Sequence, residues 1–228
     1  VRCSVVGLVS VLAYAAPASA GFDAPLKTAL IPATGKAVLH CLTFPNFLLK
    51  WEAEGMTTPI VYILKGKGPW TCAATMKGEL NFGHWPLVRV KGPFIVLQYP
   101  PQAEFGSGFT VFDTRLWRYV DSDTAIGDFT AVRLDGEALT LAYRRPINRD
   151  CSLYYGAATA CWGTIKAQSG LNDALMPDCR TAYEIAKKKL DVADITGYPA
   201  TVTYNAEVRI ANGKAAYTAR PGPITCEP

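Results

Sequence analysis

Leu87-Val-Arg-Val-Lys-Gly-Pro-Phe-Ile-Val-Leu-Gln-Tyr99 carries two short apolar runs on either side of Gly92-Pro93. Runs rich in β-branched and aromatic residues, separated by a Gly-Pro break, read as strand, turn and strand. The pattern repeats downstream. Residues 109–112 and 116–120 flank Asp113-Thr-Arg115, and residues 129–134 and 138–143 flank Asp135-Gly136-Glu137. Asp and Gly tolerate the positive φ that tight hairpin turns require. Successive hairpins at this spacing predict an antiparallel β protein.

Working outward, residues 36–51 are rich in apolar side chains and broken by Pro45-Asn46, and residues 59–64 form another short apolar run. Near the other end Val202, Tyr204, Ala206, Val208 and Ile210 alternate with Thr203, Asn205, Glu207 and Arg209 before Asn212-Gly213. That period of two is the mark of a strand with one face in a core. Two segments depart from it. Residues 161–168 predict a short helix. Residues 178–190 predict a second, with Ala182, Ile185, Ala186 and Leu190 as its apolar stripe and Tyr183 widening it. The expected fold is mostly β, an antiparallel sandwich or barrel with a short helical insertion near 160–190, stapled by disulfides. The segment 91–144 resembles a β-propeller blade in its rhythm, so a small propeller-like arrangement is the alternative. The rhythm carries no diagnostic motif and implies no function.

The first twenty residues, VRCSVVGLVSVLAYAAPASA, have the layout of an export leader. Arg2 gives a minimal basic start, residues 5–16 an apolar run, and Ala18 and Ala20 a small-residue cleavage site. The apolar run is too short for a bilayer span, which takes roughly 20 residues. Cleavage would leave one mostly-β exported domain over residues 21–228, with no membrane span in the mature chain. It would also leave six cysteines, Cys41, Cys72, Cys151, Cys161, Cys179 and Cys226. An even set behind a leader is the pattern of a disulfide framework. No two of them are close enough for the C-x-x-C spacing of zinc sites or redox motifs. Spacing does not choose among the connectivities; pairing each cysteine with its sequence neighbour gives 41–72, 151–161 and 179–226.

Composition excludes some functions. Half the residues are hydrophobic and 18% are charged, which argues against disorder. Removing Arg2 lowers the formal net charge from +4 to +3, too mild for a nucleic-acid partner. Lys187-Lys188-Lys189 closes the second predicted helix, where lysines complement the helix dipole.

Candidate chemistry is sparse. Of two histidines, His40 lies in a strand-like run. His84 lies between Gly83 and Trp85-Pro86, in what reads as a shaped loop. Ser107 sits between glycines without the G-x-S-x-G elbow. A Ser107/His84/Asp113 triad can be written, but only geometry would support it. Asp121 and Asp123 fall in an acidic stretch that reads as an inter-strand turn. As a calcium loop it fails, with glycine one place late and Val132 where a bidentate Glu belongs. Glu52 and Glu54 would share a strand face. Tryptophans and tyrosines are numerous enough to line a carbohydrate or peptide surface.

Two functional readings result. In the first, the chain is a periplasmic or secreted binding or structural protein, with no cofactor or metal, for an unidentified envelope or extracellular ligand. In the second it is a small secreted hydrolase built near His84, with loop residues such as Ser107, Asp121 and Asp123 as candidates.

Overall fold

The structure is a computed structural model that describes residues 21–32, 37–53, 59–66, 71–73, 79–85, 87–99, 106–154 and 158–227. The expected leader lies outside these residues, as do Glu54 and Pro86.

A five-stranded antiparallel sheet comes first. Its strands are β1 (Lys27–Pro32), β2 (Val38–Phe44), β3 (Phe47–Ala53), β4 (Ile60–Lys65) and β5 (Leu80–His84), in sequential order. Pro45-Asn46 makes the β2–β3 turn. The second sheet is an eight-stranded meander path of β6 (Leu87–Lys91), β7 (Phe94–Gln98), β8 (Ser107–Asp113), β9 (Arg118–Asp135), β10 (Ala138–Arg149), β11 (Ala200–Ala211) and β12 (Lys214–Ala219), with β13 (Thr225–Glu227) paired to β11. Two helices, α1 (Ala158–Ser169) and α2 (Arg180–Leu190), lie between β10 and β11.

The strand at the centre explains the layering. Every residue of β7 is buried. Alternation sends Phe94 and Val96 to one side and Ile95 and Leu97 to the other. Ile95 and Leu97, with Val90 and Phe112, pack against Phe47, Leu49, Val61, Ile63 and Phe82 of the first sheet. Phe94 and Val96 join Phe109, Val111, Leu139, Leu141, Val208 and Ile210 in a second core. The β6–β8 hairpins are therefore a middle layer between the five-stranded sheet and a back layer built from β10, β11 and β12.

The link between middle and back layers is β9, and it corrects one expectation. Residues 116–120 and 129–134 were expected as separate strands with an acidic turn between them. Instead, β9 is one strand of 18 residues. Its first half pairs with β8 and its second half with β10. The change of partner falls at an irregularity where Ala131 faces Ala142 and Ile126 faces Arg144. Gly127 lies there with φ +74°, a value that an L side chain rarely adopts. The sheet curls at this point into a sandwich-like arrangement. It does not close as a barrel, because β6 and β12 remain its ends. Nor does it divide into propeller blades.

The helical part caps the far end of the back layer. Trp162 and Ile165 of α1 and Tyr183 of α2 pack on Ile147, Val202, Tyr204 and Ala206. The stripe expected on α2 is rotated. Tyr183 is fully buried while Ile185 is 62% exposed, because one aromatic ring fills the space that two aliphatic side chains were expected to fill. Its hydroxyl donates to the Tyr198 carbonyl at 2.9 Å, and so its polar tip is not stranded.

Three disulfides join Cys41 to Cys72, Cys151 to Cys161 and Cys179 to Cys226, the sequence-neighbour pairing. The first clips residues 71–73 over the outer face of the small sheet. There Lys50, buried on β3, pairs with Glu79 and donates to the Ala73 carbonyl. The other two tie α1 and the residue before α2 to the back layer. Chain-entropy arguments put the closures at about 3 kcal/mol for the shortest loop and about 4 kcal/mol for each longer one.

Two outcomes follow. Leu97→Ala, which empties a fully buried site, is expected to lower stability by about 3 kcal/mol in urea denaturation, against less than about 0.5 for half-exposed Leu30→Ala. Replacing both Cys179 and Cys226 by Ala is expected to lower Tm by on the order of 10 °C.

Candidate functional site: a carboxylate, arginine and tyrosine seam

Asp121 and Asp123 lie in β9, two residues apart, so strand alternation aims both the same way. Register places them opposite Val111 and Phe109, on the side that faces the back layer. On that layer Tyr143 and Arg145 follow Leu139 and Leu141 along β10, Tyr204 of β11 faces Arg145, and Tyr217 of β12 faces Val208. The curl of the sheet at β9 brings these four strands together at one seam between the two apolar cores.

The Tyr217 hydroxyl donates to Asp121 Oδ1 at 2.6 Å. The Tyr143 hydroxyl donates to Asp123 Oδ2. Arg145 Nε lies 2.7 Å from that same oxygen, an ion pair without the alignment of a hydrogen bond. Its Nη1 donates to the Tyr204 hydroxyl at 3.3 Å, and its guanidinium lies 4.1 Å from the Tyr217 ring centroid. Two buried seam atoms lack a hydrogen bond: Arg145 Nε, which keeps its ion pair, and Asp121 Oδ2.

The electrostatics follow. Burial pushes the Asp121 carboxyl above the usual range and the neighbouring Asp123 adds to this, while Tyr217 and Arg145 oppose. Burial, then the adjacent carboxylates, drive Tyr143 and Tyr217 far above an ordinary phenol. Both therefore act as donors at any physiological pH. Burial works against the Arg145 charge, but Asp123 and the tyrosine oxygens outweigh it. The seam is thus a fixed cation, fixed phenol donors and one carboxylate with an open acceptor position. That is equipment for recognition: a ligand N–H or O–H that reached Asp121 would complete its bonding.

The other predicted residues lie elsewhere. His84 is exposed at the end of β5, beside Trp85, whose ring lies tilted against Tyr99 with centroids 4.5 Å apart. Ser107 is buried and its hydroxyl donates to the Tyr99 carbonyl. Asp113 ends the same strand six residues on, roughly 20 Å away at the strand rise, so the two cannot serve one histidine. Asp113 is fully buried and held by Arg115. Burial raises its pKa, yet the Arg115 side-chain and backbone bonds outweigh this and hold it below the usual range. His40 stacks on Trp51, and burial lowers its pKa. Among the described residues, no group of three or more His, Cys, Asp or Glu side chains is gathered as a metal site.

Sequence reading singled out the two acids but missed Tyr143, Arg145, Tyr204 and Tyr217. One signal was present. Leu139, Leu141, Tyr143, Arg145 and Ile147 share a face, so Arg145 is a charge at a core position, which calls for a partner. No protein-family model, no curated protein and no solved structure matches the chain.

The pH response of the seam has a definite sign. A carboxyl whose folded pKa is raised holds its proton more tightly in the native state, so ionisation destabilises the fold. That loss develops as pH rises from 3.8, its ordinary value, through the folded value. Asp121→Asn is therefore expected to match or exceed the parent in urea stability at pH 7, with any advantage disappearing near pH 3. Lower stability at both pH values would contradict this assignment. Asp123→Ala strands Arg145 and is expected to cost about 2 kcal/mol at pH 7.

Proposed function

We propose that the protein is an exported binding protein, not a hydrolase, and that the Asp121–Asp123–Arg145–Tyr217 seam is its recognition site. The ligand would be a small polar molecule rich in N–H or O–H donors. The observation that carries this reading is the buried, unbonded Asp121 oxygen next to Tyr217, a ring that is 37% exposed. The three tyrosine hydroxyls and the Asp123–Arg145 pair have partners, so the open acceptor is where an incoming donor gains most.

Export is supported by three disulfides and by the leader pattern, since disulfides persist in oxidising compartments such as the periplasm or the cell exterior. Among the described residues, no helix is long and apolar enough to cross a membrane. The hydrolase reading draws no support from Ser107, whose hydroxyl is engaged with the Tyr99 carbonyl.

Two measurements test the proposal. Amino-terminal sequencing of protein recovered from the periplasm or medium is expected to begin at Gly21; recovery with residues 1–20 still attached would remove the leader. In thermal melts, glucosamine at about ten times its Kd is expected to raise Tm by roughly 3–5 °C. The shift should vanish in Asp121→Ala, and glucuronate, which brings a carboxylate to the acid pair, should give none. An equal shift in Asp121→Ala would move the site elsewhere.

A further inference from the structure

The outward face of the back layer carries a charge pattern that the seam does not use. Strand register lays it out as a grid. In one row Arg133 of β9 and Arg209 of β11 flank Thr140 of β10. Four residues along β11, Arg144 of β10 faces Asn205, and the Arg220 amide, just beyond β12, donates to the Asn205 carbonyl. Glu207 stands in the row between. Four guanidiniums thus surround one central carboxylate, over a patch roughly 13 Å long at the antiparallel strand rise.

The carboxylates do not saturate the guanidiniums. Glu207 accepts from Arg133 at 2.9 Å and from Arg220 at 2.7 Å, so a single acid serves two cations. Among the described residues Arg209 has only Asp135 as an ion-pair partner, 4.0 Å away, and both are more than half exposed. Arg144 donates to the hydroxyl of Thr225 at 3.0 Å, and no carboxylate pairs with it among the described residues. Counting Glu207 and Asp135 against the four arginines, the patch carries a formal charge of about +2. None of its residues joins a hydrophobic cluster.

We propose that this face docks an anionic polysaccharide, a sugar polymer bearing carboxylate or sulfate groups, laid across β9 to β12. Charge complementarity selects the anion. Arginine presents a planar fork of donors matched to carboxylate and sulfate oxygens, which a lysine surface lacks. Asn205 and Thr218, between and beside the arginines, offer neutral hydrogen bonds to sugar hydroxyls. Among the described residues, none of the large exposed hydrophobic side chains lies in this grid, and this favours a hydrophilic polymer over a membrane or a nucleic acid. Because the grid and the seam lie on opposite faces of the same strands, this inference stands independently of the seam.

The test uses the full oxidised protein and immobilised dextran sulfate and polygalacturonate, with neutral dextran as control. Binding to at least one charged polymer and not to dextran is expected, weakening as salt rises. The double variant R144Q/R220Q is expected to bind at least tenfold more weakly, and R144Q alone about threefold. E207Q, which removes the competing carboxylate, is expected to bind more tightly. K187Q/K188Q on α2 removes the same charge from another surface and should stay within twofold of the parent. Melting curves confirm that each variant is folded, and R144Q and R133Q carry the test if the double variant is not. Equal loss in K187Q/K188Q would reduce the effect to diffuse charge and overturn the proposal. So would binding to phosphatidylglycerol vesicles without binding to either polymer. Loss of the glucosamine response with polymer binding intact would sink the seam alone.

Discussion

The fold depends on β7 having two cores to fill. A strand whose successive side chains must all leave water cannot sit on a surface, so a sheet has to lie on each side of it. Ile95 and Leu97 are satisfied by the five-stranded sheet, and Phe94 and Val96 by the back layer. From this requirement comes the order of the layers. It also explains why β9 is long: one strand must leave the middle layer, turn at Gly127 and become the first strand of the back layer. A chain that ended β9 at Val120 would leave the second core without a wall.

Three acidic residues within eleven positions show how differently one fold treats the same functional group. Asp113 is the most buried, yet its pKa is lowered, because Arg115 bonds it from side chain and backbone at once. Asp121 is less buried but is bonded only by neutral donors, the Tyr217 phenol and the Ser122 backbone, so burial prevails. Asp123 is paired with Arg145. The count and charge of the donors, more than depth, decide each outcome.

Much of the fold was legible in the sequence, and the reasons are local. Hairpins announced by Asn212-Gly213 and Asp135-Gly136 follow from backbone sterics, and the alternation from Val202 to Ile210 follows from period two. The stretch 121–128 was misread because polar residues usually mark a turn. Here they lie in a strand, since tyrosines and an arginine distant in sequence satisfy them, and no local pattern encodes that. The α2 stripe failed for a similar reason: helical spacing offered two faces, and the size of the Tyr183 ring chose between them. The candidate seam was half visible. Its acids stood out, but their partners come from two other strands, β10 and β12, that meet them only because the sheet curls.

The three sulfur bridges are consecutive along the chain, with no pair nested within or crossing another. A polypeptide threaded through a translocon from its amino end would therefore meet each native partner in turn. Cys72 arrives while Cys41 is the one unpaired thiol among the six. Cys161 follows Cys151 ten residues later, and Cys226 arrives to find only Cys179 waiting. Under the proposed export, simple oxidation in order of emergence would yield the three observed pairs without shuffling and without an isomerase.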